Sequence, residues 1–418
     1  MIQEFSVKNF LSFREKQTIS FLASTDKKNV NEVTFQPREG VKILKLLMVY
    51  GANASGKTNL ILAIQALWVL MISSQANEDE KISQYRPFIL DEGEPTEFEI
   101  IFWKGSIKYK YHVVFDESRI LYERLMYTTE SGILSDLYER SQKETIKFGS
   151  TIRELKAKDK QVFNTETLKN HTVLATLNKK NIQSPSVLVD LYIWIKNNVH
   201  GIGSYQNAYE IAELANRDKG VKNFLLEILK KADFNISDVH LVETTLSPQL
   251  ITEIEKDVNV SNELKAKLLK PQKEILFFHN SDEKAFSIPY RMESAGTKAY
   301  FRLARLLLEL GNEGTLVMED ELEDSLHYDL LLHFLETFLR TEIESQLIFA
   351  THSQMLLSEE WMLRRDMIVL VEKSKNSSSL LYKASDFGLH KNVSLLNAYK
   401  IGKLGAKPIL GSTFINES

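Results

Sequence analysis

The segment Gly51–Leu60, GANASGKTNL, has the residue types and spacing that bind a chain of phosphates. It fits the pattern G-x-x-x-x-G-K-[ST] through Gly51, Gly56, Lys57 and Thr58. In such a loop the backbone N–H groups surround an anion, and glycines stand where a side chain would block its approach. We expect Lys57 to reach the β- and γ-phosphates and the Thr58 hydroxyl to bind Mg²⁺. The residues predicted to hold the nucleotide are Gly51, Asn53, Ala54, Ser55, Gly56, Lys57, Thr58 and Asn59.

The flanking residues predict the elements that must position this loop. The preceding stretch LKLLMVY is typical of a buried strand, and the following stretch TNLILAIQALWVLMISS is typical of a helix. A helix that begins at the loop directs its N-terminus, and hence its free N–H groups, toward the phosphates. The alternative is a glycine turn before a core helix, without a ligand. The predicted strand before the loop and the predicted helix after it favour nucleotide binding over that alternative.

An acidic strand end follows far downstream, in TLVMEDELEDSLH. A carboxylate at a strand tip beside a phosphate loop is a typical magnesium ligand. We assign Asp320 to Mg²⁺ and Glu321 to the role of general base or water-positioning residue. Because Glu319 is also acidic, the sequence leaves this register open by one residue. The alternative is a solvated acidic turn.

Two further motifs point to the same chemistry. In FATHSQ, His352 follows a predicted strand, where an imidazole can hydrogen-bond the γ-phosphate. In MESAGTKAY, Ser294 and Gly296 open a helix and form a second anion-binding N-terminus. One chain needs one triphosphate site, so this second site makes sense if it contacts the nucleotide of a partner subunit. The alternative is an ordinary serine cap.

Composition restricts the class of protein. The chain has 418 residues, 43% hydrophobic and 26% charged, which is typical of a soluble globular protein. Its net charge of −4 does not indicate nucleic acid, although a local basic groove stays open. The absence of cysteine excludes thiol chemistry and suits a cytoplasmic location. The start has no signal-peptide pattern, and the apolar stretch Leu60–Ile72 is shorter than a membrane span of about 20 residues.

Hydrophobic periodicity divides the chain into four parts. The first contains strands, the phosphate loop and a β-meander over TEFEIIFWKG, SIKYKYHVVFD and RILYERLMYTT. Helical stretches then dominate, without a sustained heptad pattern. After Ser287, strands alternate with helices, which predicts a parallel sheet shared with the upstream phosphate-loop strand. The predicted boundaries are 1–129 for the first half of the nucleotide domain, 130–287 for a mainly helical insertion, 288–390 for the second half and 391–418 for a tail.

The ordered set of motifs resembles the ABC-type ATPase heads of the RecF, SMC and OLD groups. A narrower resemblance is to the abortive-infection ATPases of bacterial antiphage systems, of the RloA and AriA kind. It covers nearly the whole chain. The stretches that carry it are NFLSFREKQTISFLA, GANASGKTNL, YRPFIL, KKADFNISDV, ESAGTKAYFRLA, DELEDSLH, FATHS and LLNAYKIGKLGAKPIL.

The resemblance implies an ABC-type P-loop ATPase head: a mixed sheet flanked by helices, an N-terminal antiparallel meander and an inserted region. It implies ATP and Mg²⁺ as ligands, a homo-oligomer with at least two heads, and an ATP sandwich in which Ser294 and Gly296 act in trans. It further implies a phage-encoded trigger and a separately encoded nuclease-like effector. By the same resemblance, the residues expected to line the opposing interface are Asp324, Ser325 and Leu326.

The chain departs from the pattern of these heads at three places. Glu319 stands where an apolar residue is usual, and Tyr328 stands where proline is common. The glutamine that contacts magnesium in such heads has Gln84 as its nearest candidate.

Other functions remain as alternatives. A DNA-repair or chromosome-structure ATPase would act on DNA directly, but the sequence lacks a long coiled coil, a cysteine hook and a basic charge. An OLD-type nuclease would need a metal-binding domain, and the residues after Met367 are too few. We also expect no group of acids and histidines at metal-ligand spacing outside the ATP site. A metabolic P-loop kinase would not explain SAGT or His352.

Overall fold

The computed structural model describes most of the chain, and the chain forms two compact units. The first comprises 1–202, 310–322 and 339–418, and the second comprises 203–309 and 323–338. The predicted insertion begins at residue 130, which lies outside the described residues. Two parts of the predicted tail also lie outside them, namely 391 and 409–418. The described ranges are 1–129, 131–141, 145–153, 155–177, 184–204, 207–244, 248–256, 261, 263–265, 272–280, 284–390 and 392–408.

The strands number β1 to β18 in chain order. They are β1 Ile2–Lys8, β2 Gln17–Ser20, β3 Thr34–Arg38, β4 Val41–Leu44, β5 Leu46–Gly51, β6 Thr96–Lys104, β7 Ile107–Phe115, β8 Ile120–Thr128, β9 Leu134–Arg140, β10 Ile146–Phe148, β11 Val199–His200, β12 Ile236–Thr244, β13 Gln272–Asn280, β14 Ala285–Pro289, β15 Leu316–Asp320, β16 Gln346–Thr351, β17 Ile368–Lys373 and β18 Ser379–Lys383.

The described α-helices are numbered in the same way. They are α1 Val30–Val33, α2 Lys57–Ile72, α3 Ala157–Glu166, α4 Val173–Thr176, α5 Ser186–Asn198, α6 Ala208–Arg217, α7 Lys219–Lys231, α8 Pro248–Lys256, α9 Ala295–Leu310, α10 Tyr328–Leu339 and α11 Leu395–Lys400. None of these helices has the length and apolar character that crossing a bilayer requires.

The first unit contains the predicted mixed sheet, with the order β11-β15-β16-β5-β17-β18. Strands β15, β16, β5 and β17 pair in parallel, and β18 adds an antiparallel edge. β5 and β16 are buried at every position, as expected for strands covered on both faces. The prediction of a mixed sheet of this kind is confirmed.

A seven-stranded antiparallel sheet, ordered β10-β9-β8-β7-β6-β1-β2, forms the second layer of the first unit. Its β6, β7 and β8 are the predicted meander. The sheet continues past residue 129 through β9 and β10, which we did not predict. The polar sequence LSDLYER of β9 has little alternation, so its pairing with β8 depends on tertiary contacts that periodicity does not reveal.

Helix α2 packs between these two sheets. It is apolar on nearly all faces, and a helix of that kind is stable only when it is covered all round. On one side it contacts β5, β15 and β16 of the mixed sheet. On the other, the Trp68 ring meets the Phe102 ring of β6 at 5.1 Å between centroids. This packing fixes the position of the loop at the N-terminus of α2.

The second unit has more strand than we expected for residues 130–287. Strands β12, β13 and β14 form a three-stranded antiparallel sheet beside helices α6 and α7. On β13, Ile275 and Phe277 are buried and alternate with more exposed residues. The adjacent apolar residues Leu276 and Phe278 mask that alternation in the sequence. The compact units also divide at residues other than the predicted boundaries, because the first unit keeps residues 130–202.

Candidate functional site

Three parallel strands end at one edge of the mixed sheet and bring distant residues together. β5 ends at Gly51, β15 at Asp320 and β16 at Thr351. In the strand register, Asp320 lies beside Ala350, and Thr351 lies beside Tyr50. The carboxyl ends of parallel strands are the usual place for ligands in open α/β sheets.

The loop between β5 and α2 depends on two crowded glycines. A Cβ at Gly51 would collide with the Ser55 hydroxyl and the Val371 carbonyl. Gly56 has φ +111°, which side chains rarely adopt, and a Cβ there would collide with the hydroxyl oxygens of Ser12 and Ser379. The spacing of glycines in the sequence is therefore explained by close packing around the loop.

A hydroxyl network supports the loop from outside. Ser379 Oγ donates to the Ser55 carbonyl at 2.5 Å and lies at hydrogen-bond distance, 2.7 Å, from Ser12 Oγ. Asn59 Nδ2 donates to the same Ser12 Oγ at 2.8 Å. Sequence reasoning missed this role for both serines. Ser12 lies in the NFLSF stretch, which could have signalled it, whereas nothing in NSSSLL distinguishes Ser379.

Lys57 is the first residue of α2 and is almost fully buried. Its ammonium donates to the carbonyls of Gly51 at 3.0 Å and Ala52 at 3.3 Å. A lysine ammonium has three N–H donors, and these two bonds hold it at the mouth of the loop. Asn53 and Ala54, at the tip, are exposed, and Ala54 has φ +62°. The loop is therefore shaped to present backbone groups and one cation to an anion.

Thr58 and Asp320 meet across 262 positions of sequence. Thr58 Oγ1 donates to Asp320 Oδ2 at 2.7 Å. The other oxygen, Asp320 Oδ1, is buried and has no hydrogen-bond partner in the described part of the chain. A buried carboxylate oxygen without a partner is costly unless it has a ligand. A carboxylate beside a hydroxyl is an oxygen donor set of the kind Mg²⁺ prefers, so these residues fit that ion.

The strand geometry distinguishes Glu319 from Asp320, the first two of the three consecutive acids. Because side chains alternate along a strand, Glu319 and Asp320 project to opposite faces of β15. Glu319 is buried, whereas Asp320 contacts the loop.

Glu321 and His352 lie side by side just past the ends of β15 and β16. Glu321 has φ +50°, an uncommon conformation for a residue with a side chain, and its N–H donates to the Ala350 carbonyl at 3.0 Å. Its carboxylate lies 3.8 Å from His352 Nδ1. Both side chains are about half exposed, so water and a ligand can reach them.

The residues proposed to act in trans belong to the second unit. Ser294 Oγ accepts from the Thr297 N–H at 3.0 Å and caps α9. Ser294 is exposed. A Cβ on Gly296 would lie 3.5 Å from the Ser325 carbonyl, which is ordinary contact. The expected interface residues Asp324 and Ser325 are exposed, and Leu326 is half-buried.

Gln84 lies in a different place from the other predicted residues. It lines a cavity of about 170 Å³ with Phe10, Leu62, Gln65 and Val69. The described contacts do not join Gln84 to Thr58 or Asp320. Its role as a magnesium ligand stays a prediction.

One group of potential metal ligands lies outside the site, so the expectation of none is wrong. Pairing of β6 with β7 brings Glu97, Glu99 and His112 together, with ligand atoms within 4.8 Å of one another. The Lys16 ammonium lies 2.6 Å from Glu99 and 3.5 Å from Glu97. It lowers the pKa of the Glu99 carboxyl against the effect of burial. A lysine therefore already supplies the positive charge at this cluster.

Solved structures similar to this chain are heads of SMC proteins. An SMC head domain from Thermotoga maritima matches with 14% identity and a TM-score of 0.40, over 91% of this chain and 98% of that one. An Smc head with an extended coiled coil, bound to the C-terminal domain of ScpA derived from Pyrococcus furiosus, matches with 15% identity and a TM-score of 0.38, over 97% and 99%.

No curated protein sequence matches the chain. A family model does match, over residues 46–358, which is more than half of the chain and includes the phosphate loop, the acidic strand end and His352. Its description is "AAA domain, putative AbiEii toxin, Type IV TA system". The chain belongs to this family of AAA-type ATPases.

Proposed function

We propose that this protein binds ATP with Mg²⁺ and hydrolyses it. The observation that carries the proposal is the contact of Thr58 with Asp320, whose second carboxylate oxygen is buried without a partner. A phosphate loop and an acidic strand tip that meet in this way form the two halves of a magnesium–triphosphate site. Bound there, Mg²⁺ would neutralise charge on the phosphate oxygens.

The side chains around this contact have distinct roles in the proposal. Lys57 binds the β- and γ-phosphates, and the loop amides surround them. Glu321 accepts a proton from the attacking water or orients it. His352, 3.8 Å from Glu321, donates a hydrogen bond to the γ-phosphate. The unusual φ of Glu321 supports this assignment, since such conformations cluster at functional sites.

We also propose that two heads enclose the nucleotide, with Ser294 and Gly296 contributed by a partner chain. Two observations support this proposal. The N-terminus of the long helix α9 attracts anions, and Ser294 at that terminus is exposed. Asp324 and Ser325, which we place at the same interface, are exposed as well.

The biological role we propose is antiphage defence by abortive infection. The family description names a toxin–antitoxin system, and the sequence resembles abortive-infection ATPases. The ATP site accounts for the catalytic residues that we identify in the chain, so the toxic output would lie in a separately encoded nuclease-like effector. The nucleotide state would hold or release that effector after a phage-encoded trigger binds.

Replacement of Glu321 by Gln should leave ATP affinity within a few-fold of wild type and lower kcat by roughly 10²- to 10⁴-fold, because the water loses its proton acceptor. Calorimetry and a phosphate-release assay measure the two quantities. Glu319→Gln is the register control. Normal turnover in Glu321→Gln with loss in Glu319→Gln would show that the general base is Glu319.

Ser294→Arg and Lys57→Ala should each abolish hydrolysis, while their mixture should regain part of it. In a mixed pair of heads, one composite site has both an intact phosphate loop and an intact Ser294. Mixed oligomers verified by two affinity tags are assayed for phosphate release. Mixed oligomers as inactive as either parent would contradict action in trans.

The purified chain with Mg²⁺ and ATP should cleave neither DNA nor RNA, because the proposed output belongs to another protein. Cells that express it with the gene beside its own should resist phage and stop growing on infection. Metal-dependent cleavage by the chain alone, removed by a mutation outside the ATP site, would place it among nucleases. Direct ATP-dependent action on DNA ends would favour a repair ATPase.

A further inference from the structure

Tyr50 joins the phosphate-loop strand to the segment that carries His352. It is the residue before Gly51, its side chain is buried, and its hydroxyl donates to the Ser353 carbonyl at 3.2 Å. The N–H of Ser353 donates to Thr351 Oγ1 at 3.0 Å. Both backbone polar groups of the residue after His352 are therefore held, one of them by Tyr50.

The C-terminal tail contacts this same tyrosine. Tyr399, on α11, packs its ring edge-to-face against the Tyr50 ring, with 6.4 Å between centroids and 63° between planes. The hydroxyl of Tyr399 donates to the Ala406 carbonyl at 3.1 Å and closes the turn after α11. Leu404 and Ala406 in that turn are buried. Residues 395–406 of the tail thus pack against Tyr50, the residue before the phosphate loop.

Three further contacts hold this part of the tail against the rest of the first unit. Helix α11 packs against the 3₁₀ turn Gln354–Ser358, which directly follows His352 and Ser353. The Leu395 N–H, at the start of α11, donates to Glu360 Oε1 at 2.7 Å. Gly405 lies against the Glu372 carboxylate, one residue beyond Val371, which pairs with Gly51.

We propose that Tyr50 and Tyr399 are positioning residues, through which the tail sets the rate of ATP hydrolysis without touching the nucleotide. Tyr50 fixes the backbone that presents His352 to the γ-phosphate, and the Tyr399 ring fixes the Tyr50 ring. This inference rests on the proposed ATPase function. A shift of about 1 Å in a positioned group can cost up to roughly a hundredfold in rate. Because neither tyrosine contacts the nucleotide in this proposal, the loss should appear in kcat and not in the affinity for ATP.

The test uses the full-length chain and separates kcat from affinity. Tyr50→Phe keeps the ring and removes the bond to Ser353, so kcat should fall roughly three- to tenfold. Tyr399→Leu should lower kcat at least as much, and Tyr399→Phe, which keeps the ring contact, should lower it less. The affinity for a non-hydrolysable ATP analogue should stay within about twofold in all three. Tyr382→Phe on β18, which removes the hydroxyl of a tyrosine whose ring packs on Phe387, is the matched control and should match wild type.

A double-mutant cycle with His352→Ala shows whether the tyrosines act through the histidine. Under single turnover, Tyr50→Phe should add no further loss in the His352→Ala chain. The same loss in both backgrounds, an unchanged kcat in Tyr50→Phe, or a parallel fall in kcat and analogue affinity would each overturn the inference. If wild type binds no ATP, the proposed function fails and this inference with it. Tight ATP binding with an unchanged kcat in Tyr50→Phe overturns the tyrosine pair alone.

Discussion

The burial of helix α2 is the constraint on which the site depends. A helix that is apolar on nearly every face cannot lie at a surface, so other elements must cover it all round. The parallel strands β5, β15 and β16 cover one side, and β6 of the antiparallel sheet covers the other. Because the phosphate loop ends where α2 begins, the hydrophobic packing of α2 also fixes the position of the loop that we propose to bind phosphate.

The strand order then decides which side chains meet the loop. β16 lies between the phosphate-loop strand β5 and the acidic strand β15. Asp320 therefore reaches Thr58 across one intervening strand, and His352, just past the end of that strand, comes within 3.8 Å of Glu321. At the same edge, the Tyr50 hydroxyl bonds to the Ser353 carbonyl, and the Tyr50 ring packs against the Tyr399 ring of the tail. A single sheet edge thus brings together the residues that we propose to bind phosphate and Mg²⁺ and the contacts that hold the segment after His352.

The sequence predicted the elements with strong periodicity and failed where pairing depends on distant partners. The buried runs of β5 and β16 and the helices α2, α9 and α10 were recognised, because their patterns are local. Strands β9 and β13 were missed, because one is polar and the other lacks clean alternation.

Within the site too, local patterns could be predicted from the sequence, whereas contacts between distant residues could not. The phosphate loop and the acid run have a fixed spacing, and they were read from sequence. The supporting roles of Ser12 and Ser379 were not, because a hydrogen bond between residues 367 positions apart has no sequence pattern. The cluster of Glu97, Glu99 and His112 was missed for that reason too, since strand pairing alone brings its histidine to the two glutamates.

The most direct measurement of the central claim is calorimetric titration of ATP with Mg²⁺ into wild type and Lys57→Ala. Lys81→Ala, which removes a largely exposed lysine paired with Glu117, is the control for loss of one positive charge. The account predicts saturable binding to wild type and to Lys81→Ala. In Lys57→Ala the affinity should fall at least about tenfold, since a charge-assisted hydrogen bond to phosphate is lost. Binding to Lys57→Ala within a few-fold of wild type would contradict the assignment of the phosphate loop.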